Sequence, residues 1–149
     1  MEQQVATEES LAGKRIAITN VYFEKIDNWD PTVLDLMSDD VQFFFPKSGI
    51  RKGKEEWGKF GELFGKYLKS IKHDIPQLRH IVQGNFVVVE GSEQGEMTDG
   101  TKWPDGKISQ GLFCNVFEFK GELITRLHVY VDPDFISADQ DRVKALFAE

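Results

Sequence analysis

The stretch between Gly111 and Asp132 constrains this chain more than any other. Two runs rich in aromatic and β-branched residues, Gly111–Phe119 and Glu122–Asp132, flank Lys120-Gly121, and Asp132-Pro133 closes the second. This pattern predicts a β-hairpin with Lys120 and Gly121 as its loop. Phe119 then faces Glu122, Asn115 faces Arg126, and alternation sorts the side chains onto two faces. One face carries Leu112, Cys114, Val116 and Glu118 with Leu123, Thr125, Leu127, Val129 and Val131. The other carries Phe113, Asn115, Phe117 and Phe119 with Ile124, Arg126, His128, Tyr130 and Asp132. The first is mainly aliphatic. The second mixes rings with hydrogen-bonding groups, as the wall of a ligand cavity does. Helices are expected to cover the aromatic–polar face and leave a cavity beneath them. A second copy of the chain is expected on the aliphatic outer face, making a homodimer.

The rest of the chain supplies those helices. Residues 1–10 are polar and read as a flexible segment ahead of a single domain over 11–149. Ser10 caps a first helix with Ile16, Val21, Tyr22, Phe23, Ile26 and Trp29 as its apolar positions, ending at Asp30-Pro31. The same pair starts a short second helix, since Asp caps well and Pro suits the first helical position. Val41–Phe45 reads as a strand ended by Pro46, and Ile50–Lys52 as another. From Lys54 to about Ser70, Trp57, Phe60, Phe64, Leu68 and Ile71 recur at helical spacing. Gly58, Gly61 and Gly65 interrupt that helix, either for close packing or to leave cavity volume. Leu78–Val82 and Phe86–Glu96 flank the turn Gln83-Gly84-Asn85. Met97–Lys107 is a loop carrying Trp103. Ser137 and Gln140 form a capping box for a last helix over Ala138–Ala148. Helices first and antiparallel strands later make an α+β fold.

Composition removes several function classes. Eighteen Lys and Arg against 25 Asp and Glu leave a formal charge of −7, which argues against a nucleic-acid partner. No apolar run is long enough to span a bilayer. The acidic start resembles neither a secretory signal nor a transit peptide, and the lone Cys114 fits a reducing, cytoplasmic setting. The three histidines lack metal-ligand spacing, and there is no phosphate-binding glycine loop or nucleophile elbow. Neither metal nor cofactor is expected. What stands out is 12 Phe, 3 Trp and 3 Tyr in 149 residues.

Several segments resemble the nuclear transport factor 2-like superfamily, and within it the SnoaL-like and ketosteroid-isomerase-like proteins. They are Trp29-Asp30-Pro31, Leu36-Met37-Ser38-Asp39-Asp40-Val41, Lys52-Gly53-Lys54, Val116–Ile124 and His128–Pro133. The resemblance runs from about Ile16 to Pro133. It implies a cone-shaped, curved, mostly antiparallel sheet wrapped around N-terminal helices and enclosing a pocket, and dimers formed through the sheet's outer face. It implies little about the reaction. Where ketosteroid isomerases carry an Asp base before a Pro, this chain has Phe45 before Pro46. Their helix tyrosine aligns nearer Val21 than Tyr22, and their oxyanion-side acid aligns with Asn115. The Asp–Arg–Asp set of limonene-epoxide-hydrolase-like proteins falls near Glu96, Thr98 and Val129. His80 sits where scytalone-dehydratase-like proteins have a pocket histidine.

These readings give a candidate site for a small apolar or aromatic ligand. His80 and His128 are the proton-handling candidates, and Asn115 and Tyr130 would position an oxygen. Tyr22, Trp57, Phe60, Phe113 and Trp103 would wall the ligand, with Trp103 either a lid or a loop anchor. Glu90 is a further candidate, but a two-residue turn puts it on the face opposite His80. Only a longer loop or a bulge would bring it round. The expected function is cofactor-independent isomerisation, dehydration or cyclisation of a small carbonyl or hydroxyl compound. The alternatives are a non-catalytic binder and a dimerisation module.

Overall fold

Tight turns and two bulges decide which side chains meet. The computed structural model describes residues 2–147, with side chains from Ser10 onward. The chain opens with helix α1 (Glu2–Asp27) and a 3-10 turn over Pro31–Leu36, then β1 (Met37–Phe45) and β2 (Gly49–Lys52). Helix α2 (Lys54–Tyr67) leads into β3 (Leu68–His73), β4 (Arg79–Gln83), β5 (Phe86–Met97) and the short β6 (Lys102–Trp103). The long strands β7 (Leu112–Lys120) and β8 (Leu123–Val131) follow. The strands form one curved, unclosed sheet in the order β2-β1-β8-β7-β5-β3, with β4 and β6 also paired to β5. Among the described residues, only β1 and β8 pair in parallel. Helix α1 crosses the concave face, where Tyr22 meets Phe117 edge-on at 5.2 Å and Phe23 lies 5.3 Å from Phe113. The α+β cone expected from the sequence is the observed fold.

The helices differ in detail. Helix α1 starts at Glu2 rather than at a Ser10 cap. The second helix is the 3-10 turn, capped by Asp30, whose carboxylate accepts the Thr32 N–H at 2.9 Å. The last is also 3-10, over Gln140–Phe147, and Ala148 lies outside the described residues. The largest correction concerns α2, which ends at Tyr67, so Leu68 and Ile71 belong to β3 instead. A register shift between Leu68 and Ser70 turns Leu68 and Ile71 inward three residues apart, an imitation of helical spacing.

The main hairpin holds a second correction. Lys120 pairs with Leu123, so the loop is Gly121-Glu122, and a bulge follows between Glu118 and Phe119. Asn115 therefore faces Val129, and Phe113 faces Val131. On β7 the inner face is the expected one, with Phe113, Asn115, Phe117 and Phe119 all buried. On β8 the faces exchange. Ile124, Leu127, Val129 and Val131 pack inward, while His128 and Tyr130 join Cys114 and Val116 outside. At β4–β5 the turn is Gly84-Asn85, and His80 pairs with Val89 while Arg79 pairs with Glu90.

Candidate active site

Register brings a histidine and a glutamate together. His73, the last residue of β3, is the cross-strand partner of Glu93 on β5, so both side chains leave the sheet on its inner face. His73 Nε2 lies 3.0 Å from Glu93 Oε2, and both side chains are almost wholly buried. Asp27 ends α1 directly above. Its Oδ1 is 2.5 Å from His73 Nδ1, and its Oδ2 accepts the His73 backbone N–H at 2.9 Å. The imidazole is held between Phe23, 4.7 Å away, and Phe113, edge-on at 5.0 Å. Gly111 makes room for this arrangement. Its carbonyl accepts the Glu93 N–H at 2.7 Å, and a side chain there would collide with the Glu93 carbonyl.

Burial opposes a charge on His73, but hydrogen bonds to Asp27 and Glu93 and their negative charge outweigh it. Its pKa is pushed up to about 9. At neutral pH the ring is therefore an imidazolium with both N–H groups given to carboxylates. Nearby, burial first and then Glu93 and Asp27 raise the Tyr22 phenol, which stays a hydrogen-bond donor.

This cluster lines a cavity of about 370 Å³. Tyr22, His73, Glu93 and Asn115 are among its polar groups, with Lys25, Asp30 and Glu62 also on its lining, and Phe45, Trp57, Phe60, Phe64, Val129 and Val131 supply apolar wall. Asn115 is only 3% exposed, yet its Oδ1 has no hydrogen-bond partner in the protein. An acceptor buried this way calls for a donor from a ligand or a water. Helix α2 contributes Gly58 and Gly61, where an added Cβ would meet nothing within 4 Å. Trp29, 42% exposed, stands at the rim with the Lys25–Asp30 pair. It follows the end of α1 with φ +53°, a conformation that usually selects glycine and costs another residue about 1 kcal/mol. A smaller pocket of about 200 Å³, lined by Trp103, Ser109 and Asp132 among others, shares Glu93 with the main one.

The expected site residues divide. Tyr22, Trp57, Phe60 and Asn115 line the cavity. His128 does not. The bulge turns it outward beneath Phe44, where Arg126 Nη2 and the Tyr130 hydroxyl each lie 3.3 Å from its Nδ1. Burial, then the Arg126 charge, holds its pKa below the usual range. Tyr130 is likewise on the outer face, 49% exposed. His80 faces inward but meets α1, its Nε2 2.9 Å from Asn20 Oδ1, and burial lowers its pKa. Glu90 points outward beside Arg79, as the two-residue turn requires. Phe113 packs behind the His73 ring rather than on the cavity. Trp103 is neither lid nor surface anchor: it is 2% exposed, stacked on Phe135 in a second core cluster.

Asp27, His73 and Glu93 were not among the expected residues. Glu93 was accessible, because the parity that rejects Glu90 puts Val87, Val89, Gly91 and Glu93 on the inner side. His73 was hidden by the bulge that disguised β3. Among the described residues, no group of three or more His, Cys, Asp and Glu is arranged to hold a metal ion.

Comparison with known proteins agrees with this fold. No curated protein sequence matches the chain. Among solved structures, an NTF2-like protein of unknown function from Burkholderia pseudomallei superposes with a TM-score of 0.69 at 16% identity, covering 91% of this chain and 98% of its own. A candidate polyketide cyclase from Pseudomonas putida gives 0.66 at 17% identity, covering 81% and 93%. TerC, co-crystallised with polyporic acid, gives 0.66 at 19% identity, covering 80% and 92%. At such identities these likenesses concern the fold. The SnoaL-like domain profile matches residues 22–127, from the cavity tyrosine of α1 into β8. The chain thus belongs to the SnoaL-like domain family, within the nuclear transport factor 2-like superfamily.

Proposed function

We propose that this protein is a cofactor-independent acid–base enzyme acting on a small ring compound that carries a carbonyl and a hydroxyl group. The observation that carries the reading is His73, buried as an imidazolium between Asp27 and Glu93 at the floor of an aromatic cavity. Both ring nitrogens are engaged, so the group that reaches substrate is the Glu93 carboxylate. In this reading Glu93 takes a proton from carbon next to the carbonyl, and the electron pair moves onto the carbonyl oxygen. The Tyr22 O–H donates to that oxygen as its charge develops, and Glu93 returns the proton at another carbon. The reaction is an isomerisation, and loss or attack of a neighbouring hydroxyl would extend it to dehydration or cyclisation. Asp27 positions His73, and His73 holds Glu93. The polyketide-cyclase description of one structural neighbour is compatible with such a substrate.

The test is solvent deuterium exchange into 2-tetralone, followed by NMR. The wild-type protein should speed exchange over buffer, and Glu93→Gln should remove about 100-fold or more of the acceleration. His73→Gln should lower it too and flatten its fall toward pH 9. Exchange no faster than in buffer, or undiminished in Glu93→Gln, ends the acid–base reading. A non-catalytic binder would retain a ligand through purification under native conditions without any such exchange.

A further inference from the structure

Trp29 stands in a backbone conformation that favours glycine, at the rim of the cavity, and its indole crosses to α2. There Gly65 offers a flat bed: a Cβ at that position would touch the Trp29 ring at 3.5 Å. One and two turns earlier, Gly61 and Gly58 open the helix surface onto the cavity, with no atom within 4 Å of where a side chain would begin. Core packing does not explain this, since Trp29 remains substantially exposed and a left-handed residue after a helix is cheapest as Gly or Asn. Across the cavity, the buried Asn115 Oδ1 lacks a donor. The charged residues lining the cavity carry one more negative than positive charge: Asp30 is paired with Lys25 and Glu93 with His73, and Glu62 adds a further carboxylate.

We propose that Trp29 and the glycine wall of α2 form the ring-binding half of the site and select a flat, uncharged polycyclic molecule whose hydroxyl donates to Asn115 Oδ1. The ring lies along Gly58 and Gly61, its edge under the indole. The backbone cost at Trp29 is tolerated for the ligand contact. An anionic ligand is refused by the carboxylates, and a ring without a hydroxyl leaves Asn115 unsatisfied. The inference rests on the proposed function only for the location of the substrate, since it concerns binding and not turnover.

Calorimetric titration with three probes tests it: 2-naphthol, 2-methoxynaphthalene and 2-naphthoate. Wild type should bind 2-naphthol about tenfold more tightly than the other two, and Asn115→Leu should erase the preference over 2-methoxynaphthalene. Trp29→Gly and Trp29→Asn should each lose about tenfold in 2-naphthol affinity while the melting temperature stays within about 3 °C of wild type or rises. Gly61→Leu should fill the wall and weaken binding by a similar factor with the fold intact. Undiminished affinity in the Trp29 variants overturns the proposal. So does a loss of affinity accompanied by a larger fall in melting temperature, which would make the ring a packing element. Tight binding of 2-naphthoate, or no binding of 2-naphthol to wild type, also overturns it. Expected binding without deuterium exchange would end the acid–base reading and keep this one. Exchange with neutral Trp29 variants would do the reverse.

Discussion

Helix α1 carries two buried charged groups to the sheet, about 18 Å apart along its axis, and they do opposite things. At Arg15 the guanidinium donates Nε–H to the Gly121 carbonyl at 2.9 Å and Nη1–H to Gly84 O and Asn85 Oδ1 at 3.4 and 3.2 Å. It also lies over the Phe119 ring, 5.6 Å from its centre. Every partner is neutral, two of them are main-chain carbonyls, and none lines a cavity. Arg15 ties the β4–β5 turn to the β7–β8 turn. At Asp27 the partner is itself charged, the cluster contains a second carboxylate, and open space adjoins it. A buried charge satisfied by fixed dipoles holds a fold together. One satisfied by another charged group, beside a cavity, leaves its field within reach of whatever binds there.

The difference can be broken at either end. Asp27→Ala strips an acceptor from a buried cation and from its backbone N–H, and should lower the unfolding free energy by about 3 kcal/mol in urea titration. Asp27→Asn should recover part of that. Arg15→Met keeps apolar volume but frees the two turns, at a cost of about 1–2 kcal/mol, and should leave deuterium exchange into 2-tetralone untouched. The pH dependence separates the ends further. Because folding raises the His73 pKa from 6.5 to about 9, the folded state binds that proton more tightly. Its stabilisation is complete below pH 6.5 and is lost as pH rises through about 9. The melting temperature should therefore fall by several degrees, about 3–8 °C, over that window in wild type and Arg15→Met. In His73→Gln the fall should be absent. The smallest effect belongs to the outer face, where Tyr130→Phe, at a half-exposed position, should shift stability by no more than about 0.5 kcal/mol and leave exchange unchanged.

Much of the fold was legible because its local signals agree. The α2 stripe of Trp57, Phe60 and Phe64, the Gly84-Asn85 turn and the inner row Phe113, Asn115, Phe117 and Phe119 each follow from periodicity or turn chemistry. The candidate site was less legible, and bulges account for most of that. One insertion in β8 exchanged the face of every residue beyond it, carrying His128 and Tyr130 out of the cavity and Val129 and Val131 in. Another in β3 made a strand look helical and hid His73. Parity is a strong rule that a single extra residue inverts, and bulges gather where a sheet bends around something. Asn115, on the unbulged strand, stayed where alternation put it.

The parallel pairing of β1 with β8 has a consequence in time as well as in space. It joins Phe43 to Leu127, so the ladder closes only after the intervening chain has been gathered. Phe45 on β1 and Val129 and Val131 on β8 are cavity wall, which means the pocket is completed by the strand pairing most distant in sequence. Loop-closure entropy makes such a contact late. A bound molecule therefore has nothing to hold during the early stages of folding. Its stabilisation should appear as slower unfolding, with the folding rate nearly unchanged.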